Sequence, residues 1–320
     1  MAIRPILEFR SRIRNALRER FERRGFIEVD TPVLSPEVLP ESHIDPIAVP
    51  LDGADRPPAF LQASPEAAMK RLLAEGSGPI YQFAHAFRAG ERGRQHDIEF
   101  LLLEWYAPGT ALDDAAVLLD DLCGAALGTS GIERLTCSTA FSTWAGVDPL
   151  VASVDDLAAA GDRAGLPPPP ADDRDPPEQR WDRWFERLLA EVVAPRLGRD
   201  RPTMLEAWPV SQAAFARIDP ADRRSARRFE LFVRGVELAN GWEEETAREV
   251  LAERIATANR HRAADGRAVL PAPPRLLAAH GAAMPAGVGA ALGFDRLVML
   301  AAGVDSIHAV RGLRDAPAPA

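Results

Sequence analysis

The chain has 320 residues, a formal net charge of −9 and 47% hydrophobic residues, enough apolar chain to build the core of one large domain. The acidic balance argues against an extended nucleic-acid surface, which needs clustered lysine and arginine. No apolar run approaches the ~20 residues of a membrane span, and the first residues lack the continuous apolar stretch of a signal peptide.

In chain order, residues 6–24 predict an amphipathic helix, with Ile6, Ile13, Leu17 and Phe21 near helical spacing and Gly25 as its stop. FIEVDTPVLS predicts a strand ending near Pro32. Residues 43–50 form a second extended run, and 51–58 a loop. SPEAAMKRLLAEG predicts a helix over 64–75, opened by Ser-Pro-Glu and closed by glycine. Two alternating strands with a polar bend between them then fill 83–106, followed by a helix in LDDAAVLLDDLCGAAL.

Cys123 and Cys137 make neither a metal-ligand spacing nor a disulfide framework, and they read as reduced thiols of a cytoplasmic protein. The texture changes at about 150–200. LPPPPADDRDPPE, residues 166–178, is excluded from helices and central strands by its prolines, and it links predicted helices at 154–164 and 179–197. This stretch reads as a helical, proline-rich insertion beside the main sheet of a single catalytic domain spanning 1–320. ARRFELFVRGVELANGWEEE predicts a second hairpin, 248–265 a helix, and 286–302 a glycine-rich strand running into a helix. Strands drawn from distant parts of the chain by hairpins imply an α+β fold, an antiparallel sheet flanked by helices.

The chemistry concentrates on these strands. Strand side chains alternate, so Phe100, Leu102, Glu104 and Tyr106 share one face, as do Ala84, Ala86 and Arg88 on the preceding strand. Burying Glu104 without a partner costs several kcal/mol, so it calls for a cation, either an arginine of the sheet or a ligand. In the second hairpin Glu230 and Glu237 flank a tight Arg234-Gly235 turn. A two-residue loop sets Phe232 opposite Glu237, with Glu230 diagonal on the same face. Two adjacent carboxylates repel unless a divalent metal joins them, and hard oxygen ligands suit Mg²⁺. Gly289 and Gly293 allow close backbone approach to a ligand, with Arg296 just behind. Arginine and Mg²⁺ together meet the needs of a nucleoside triphosphate.

These residues resemble the catalytic core of class II aminoacyl-tRNA synthetases, and within it the lysyl branch. RGFIEVDTPVLS is similar to the first, dimer-forming motif, FRAGERGRQHDIEFLLLEWY to the second and GAALGFDRLVML to the third. Within that branch the chain resembles the short paralogues that join a lysine-type amino acid to a lysine of translation elongation factor P. Ser64, where tRNA-charging enzymes usually carry alanine, and Ala291, where they usually carry glycine, lean toward these paralogues. So does a core that starts with the first residues, which leaves no room for an anticodon-binding domain.

The resemblance implies roles by position. Arg88 holds the α-phosphate of ATP, and Arg88 and Arg296 are the catalytic arginines. Phe100 and Arg296 bracket the adenine. Glu91, His96 and Asp97 lie on the loop over the nucleotide, and Glu237, Leu238 and Gly293 complete its site. Glu230 and Glu237 hold Mg²⁺. Ser64, Glu66, Glu104, Tyr106, Asn240, Trp242, Glu244 and Ala291 form the amino-acid pocket. The implied protein is a cytoplasmic homodimer that uses ATP and Mg²⁺, prefers a β-lysine isomer, takes elongation factor P as acceptor and engages neither tRNA nor membrane.

Several positions depart from the family pattern. Gly90 intervenes before Glu91, and Asp97 and Ile98 stand where asparagine and proline are usual, which brings a negative charge near ATP. NGWEEET carries an extra acid, Glu245, and is one residue shorter before Ala247. The tail IHAVRGLRDAPAPA does not follow the usual closing segment. Glu237 and Asn240 would face opposite sides of a regular strand, so a shared site needs a bulge at 239–241. Two other readings are a lysine-activating enzyme with a different acceptor (tRNA, a carrier protein or a small molecule) and a non-catalytic synthetase-like binding protein.

Overall fold

The computed structural model describes residues 3–51, 58–170 and 177–312. The expected loop at 51–58 and the centre of the proline-rich stretch fall largely outside them. The chain divides into two compact units. One comprises the residues up to Thr110, Asp121–Gly128 and the residues from Thr246 onward; the other comprises Ala111–Asp120 and Thr129–Glu245.

The first unit is built on a mixed sheet. Ile27–Glu28 pairs parallel with Ile80–Phe87, which pairs antiparallel with Glu99–Pro108, which pairs antiparallel with Gly287–Gly293. The register sets Gln82 opposite Glu104 and Ala86 opposite Phe100 on one side, and Ala291 opposite Glu104 and Gly289 opposite Tyr106 on the other. The strand's second face, Leu101, Leu103 and Trp105, is buried. There the helix Ile3–Glu22 packs, with the Phe21 ring stacked on Tyr81 at 4.5 Å and tilted against Trp105 at 5.6 Å. The other face, with Leu102, Glu104 and Tyr106, is buried as well, and there Tyr106 packs with Met69, Leu73, Ile80 and Met284. The expected strand through Pro32 is broken. Two-residue strands, Ile27–Glu28 and Leu34–Ser35, flank the proline, and the second belongs to a small antiparallel sheet with Ala59–Leu61 and Ile47–Val49. Proline lacks the N–H that a continuing ladder requires.

In the second unit Val236–Glu243 pairs antiparallel with Ser225–Val233, which pairs antiparallel with Thr203–Pro209, which runs parallel to Glu133–Thr136. The helices Cys137–Trp144, Val154–Arg163 and Pro177–Leu188 close a core of stacked aromatics. Phe185 lies 4.8 Å from Phe141, 5.2 Å from Trp181 and 5.8 Å from Trp208. The last helix continues as a π-helical turn, Leu189–Val193, and a 3₁₀ turn, Ala194–Arg196. Arg234 and Gly235 both have positive φ, 53° and 76°, the signature of a type I′ hairpin turn. That turn is docked: Arg234 N donates to Gly198 O at 2.6 Å and Gly235 N to Leu197 O at 2.9 Å. A Cβ on Gly198 would come within 2.4 Å of Phe232 O, so only glycine permits this approach.

Candidate active site

In the first unit a buried carboxylate is the centre of the arrangement. Glu104, 2% exposed, accepts hydrogen bonds from Ser64 Oγ at 2.7 Å and Tyr106 Oη at 2.8 Å. Ser64 also accepts from Glu66 N at 3.0 Å, so its hydroxyl is oriented at both ends by the turn that opens the helix Glu66–Ala74. One helical turn on, Lys70, 1% exposed, places Nζ 2.6 Å from Glu66 Oε1 and 5.9 Å from the centre of the Tyr106 ring. Burial, and then the charge of Glu66, push the Glu104 carboxyl up to about 8, against the opposing pull of the Ser64 and Tyr106 hydroxyls and of Lys70. Among the described residues, the hydrogen-bond partners of Glu104 are thus hydroxyls, not an arginine of the sheet. A carboxyl held this way suits an incoming ammonium group, which would draw it into its charged form.

At the far end of the same strand pair stands Arg88. Its backbone N donates to Ile98 O at 2.9 Å, its Nε to Ala63 O at 3.3 Å, and its guanidinium lies 5.0 Å over the Phe100 ring. Glu91, displaced by the turn at Gly90, still reaches Arg88 at 3.7 Å. The turn is braced from below: Ala89 N donates to Asp45 O at 2.8 Å, and the buried Arg262 holds Asp45 Oδ1 at 2.8 Å. Arg296, on the helix Phe294–Ala301, donates from Nε to Gln95 O at 3.2 Å and lies 2.6 Å from His96 Nε2. The two arginines thus hold opposite ends of the 88–98 loop.

In the second unit Asn240 lies directly opposite Glu230, and Glu237 opposite Phe232, because the register slips by one residue between Glu237 and Ala239. The extra residue is Leu238, 1% exposed, one place before the bulge expected at 239–241. Glu230, Glu237, Asn240 and Trp242 therefore share a face. Leu238 turns its side chain into the core, so only its backbone could meet a nucleotide. Arg228, two residues before Glu230, pairs with it at 2.6 Å, donates to Asn240 Oδ1 at 3.3 Å and stacks 4.1 Å over Trp208. Trp242 sits 6.1 Å edge-on to Phe215, against Ala213, Ala216 and Ala226. Glu243 is buried and paired with Arg227 at 2.6 Å and Arg217 at 2.8 Å. The next acid, Glu244, is also buried and bridges antiparallel to Ala216. Among the described residues no group of three or more His, Cys, Asp or Glu side chains could hold a metal ion. A carboxylate pair still fits Mg²⁺, which commonly takes one or two protein carboxylates and completes its shell with water and phosphate oxygens.

Residues 2–313 match the family model described as tRNA synthetases class II (D, K and N). The chain belongs to this class II synthetase family. It is 38% identical over 306 residues, 95% of this chain and 93% of the relative, to an elongation factor P–(R)-β-lysine ligase of Enterobacter sp. (strain 638). It is 40% identical over 299 residues, 92% of this chain and 91% of the relative, to a protein of the same name from Vibrio parahaemolyticus serotype O3:K6. A third of that name, from Edwardsiella ictaluri, is 39% identical over 304 residues, covering 94% and 92%. The chain is thus an enzyme of the class II synthetase family.

Within that family frame, Ser64, Glu66, Glu104 and Tyr106 converge, with Ala291 opposite Glu104, and so do Arg88, Glu91 and Phe100. Two partners were not anticipated from the sequence. Lys70 follows Glu66 at a spacing of four on a helix, and Arg228 precedes Glu230 at the strand spacing of two; both were legible by periodicity alone. Gly293 differs from Gly287. A Cβ at 287 would stand 2.3 Å from Ala107 O, whereas one at 293 would meet the Arg296 stem at an ordinary 3.4 Å. The chain's own packing requires glycine at 287 and not at 293. Among the described residues no helix is long and apolar enough to cross a membrane.

Proposed function

We propose that this protein activates a lysine-type amino acid, preferably β-lysine, as its adenylate with ATP, and transfers it to a lysine of translation elongation factor P. The observation that carries this reading is Glu104: a buried carboxyl, oriented by two hydroxyls beside Glu66, with no arginine among its hydrogen-bond partners in the described residues. The full-length likeness to proteins named for elongation factor P and (R)-β-lysine supplies the donor and acceptor.

In the first step a carboxylate oxygen of the amino acid attacks the α-phosphorus of ATP and pyrophosphate leaves. In the second, the unprotonated ε-amine of the acceptor lysine attacks the adenylate carbonyl. AMP departs with the bonding pair, and the amine proton goes to solvent. Arg88 and Arg296 bind the nucleotide and neutralise charge on the phosphates, Glu91, His96 and Asp97 form the loop over it, Phe100 offers a ring to the adenine, and the backbone at Leu238 and Gly293 lies against it. Glu66, Glu104, Tyr106, Asn240 and Glu244 orient the amines of the substrate, with Ser64, Ala291 and Trp242 shaping the pocket. Glu230 and Glu237 would hold Mg²⁺, which supplies charge neutralisation at the leaving pyrophosphate. Rate comes from positioning and electrostatics, with no covalent residue required. The reading takes the chain as one catalytic domain with a helical insertion, working in the cytoplasm as a homodimer and without tRNA.

The test incubates the enzyme, ATP and each lysine isomer with elongation factor P and, separately, with bulk tRNA. Intact-mass spectrometry of the factor should show one added lysyl residue, fastest with β-lysine. Charging of tRNA with no change in the factor's mass would overturn the acceptor. Equal turnover with α-lysine would overturn the donor preference alone.

A further inference from the structure

Two departures from the family pattern, Asp97 and the C-terminal tail, meet in space. Arg311 Nη1 lies 2.6 Å from Asp97 Oδ2, across 214 residues of sequence. The other oxygen, Oδ1, accepts from Ile98 N at 2.9 Å. His308 adds a second basic group, with Nδ1 3.9 Å from Asp97 and Nε2 3.0 Å from Gly93 O. Ile307 N donates to Arg94 O at 2.9 Å, and Arg94 pairs with Asp305. The tail is itself anchored by Arg10, which donates to Val310 O at 3.2 Å. Residues 305–311 are thus stapled along 93–97, on the loop whose His96 and Gln95 are held by Arg296.

We propose that Arg311 is a positioning residue for the nucleotide: it cancels the charge of Asp97 and ties the 93–97 loop to the tail, so that the loop can lie against a triphosphate. The inference rests on the reading of Arg88 and Arg296 as nucleotide ligands. Asp97 directly follows His96, so an unpaired carboxylate there would repel every phosphate that Arg88 and Arg296 attract. Paired with Arg311 it is electrically neutral to a distant charge. Both side chains are about one-fifth exposed, 23% and 21%, so screening is partial and the pairing acts on a group bound nearby.

The experiment compares the parent, Arg311→Ala, Arg311→Lys, Asp97→Asn and the Asp97→Asn, Arg311→Ala double variant in ATP–pyrophosphate exchange. Binding of ATP and of adenosine is measured alongside by calorimetry. Arg311→Ala should raise KM for ATP by about tenfold while kcat changes by less than about threefold. Its adenosine affinity should stay within about twofold, because adenosine carries no phosphate charge. Asp97→Asn should lower KM for ATP, since Arg311 then acts as a free cation. Adding Asp97→Asn to Arg311→Ala should bring KM for ATP well below that of Arg311→Ala alone, and Arg311→Lys should stay within about threefold of the parent. An unchanged KM in Arg311→Ala, equal losses for ATP and adenosine, or a loss that Asp97→Asn does not recover would each overturn the proposal. If Arg311→Ala loses its circular dichroism signal, the double variant and Arg311→Lys decide alone, since both retain charge balance. A parent without any exchange would overturn the nucleotide reading itself, and the role of Arg311 with it.

Discussion

Asn240 stands opposite Glu230 although Glu237, three residues before it on the same strand, faces the same way. One buried residue, Leu238, absorbs the difference. The slip converts two incompatible parities into a row of polar groups, Glu230, Glu237 and Asn240, with Arg228 at its end. Under the proposed function this row would offer neighbouring groups to a divalent ion and to an amine without a third acidic element.

Substitution in this row should separate metal from amino acid. Glu230→Gln and Glu237→Gln are each expected to raise the Mg²⁺ concentration for half-maximal exchange by about tenfold or more. Asn240→Ala should instead raise KM for the amino acid. A Mg²⁺ titration at saturating ATP and lysine distinguishes them; identical Mg²⁺ curves for parent and Glu230→Gln would remove the metal assignment.

The position of Glu104 predicts a pH signature. With its carboxyl raised to about 8, it is protonated at neutral pH, and an entering ammonium group favours the ionised form. Binding of the amino acid below that pH should therefore release a proton, and affinity should rise with pH up to about 8. Calorimetry in two buffers of different ionisation enthalpy measures the proton count. The stability sign is the reverse. A folded value above the ordinary 4.5 means that this group's contribution is complete below 4.5 and is lost as pH rises through about 8. Glu104→Gln should abolish both effects.

Arg88→Ala should fold normally, because among the described residues its side chain makes one long hydrogen bond, to Ala63 O at 3.3 Å, and a loose ion pair with Glu91 at 3.7 Å. Adenylate formation should fall by about 100-fold or more, the loss typical of a group that meets charge in the transition state. Near-parental exchange would show that this hairpin is not the nucleotide site.

Association should depend on the first helix and the strands around Pro32. Ile27, Val33 and Leu34 are exposed at 58%, 39% and 42%, as are Ile3 and Leu7 on the helix. Their apolar surface fits a second copy of the chain. Sedimentation equilibrium should give twice the chain mass, and Leu34→Asp should shift it to the monomer. A parent that is monomeric at all concentrations would refute this.

The ordered motifs, the shared face of Glu104 and Tyr106, and the Phe232–Glu237 pairing were all legible before any coordinates, because each rests on periodicity or on turn length. The bulge at Leu238 was recognised as necessary but set one residue late; an apolar residue in an apolar strand does not announce where register slips. The strands Glu133–Thr136 and Thr203–Pro209 and the helix Cys137–Trp144 went unassigned, since short runs carry little period. The pairing of Asp97 with Arg311 was beyond reach, for no local pattern joins residues 214 apart.

The docked Arg234-Gly235 turn limits how this scaffold can be shortened or diversified. Its backbone hangs from Leu197 and Gly198, the end of the helical run that starts at Pro177. A deletion that removes 150–200 to make a minimal enzyme would also unseat the hairpin bearing Glu230 and Glu237. Length can drift within the proline-rich connector, while the helices on either side, and above all Gly198, are bound to the same constraints as the hairpin they support.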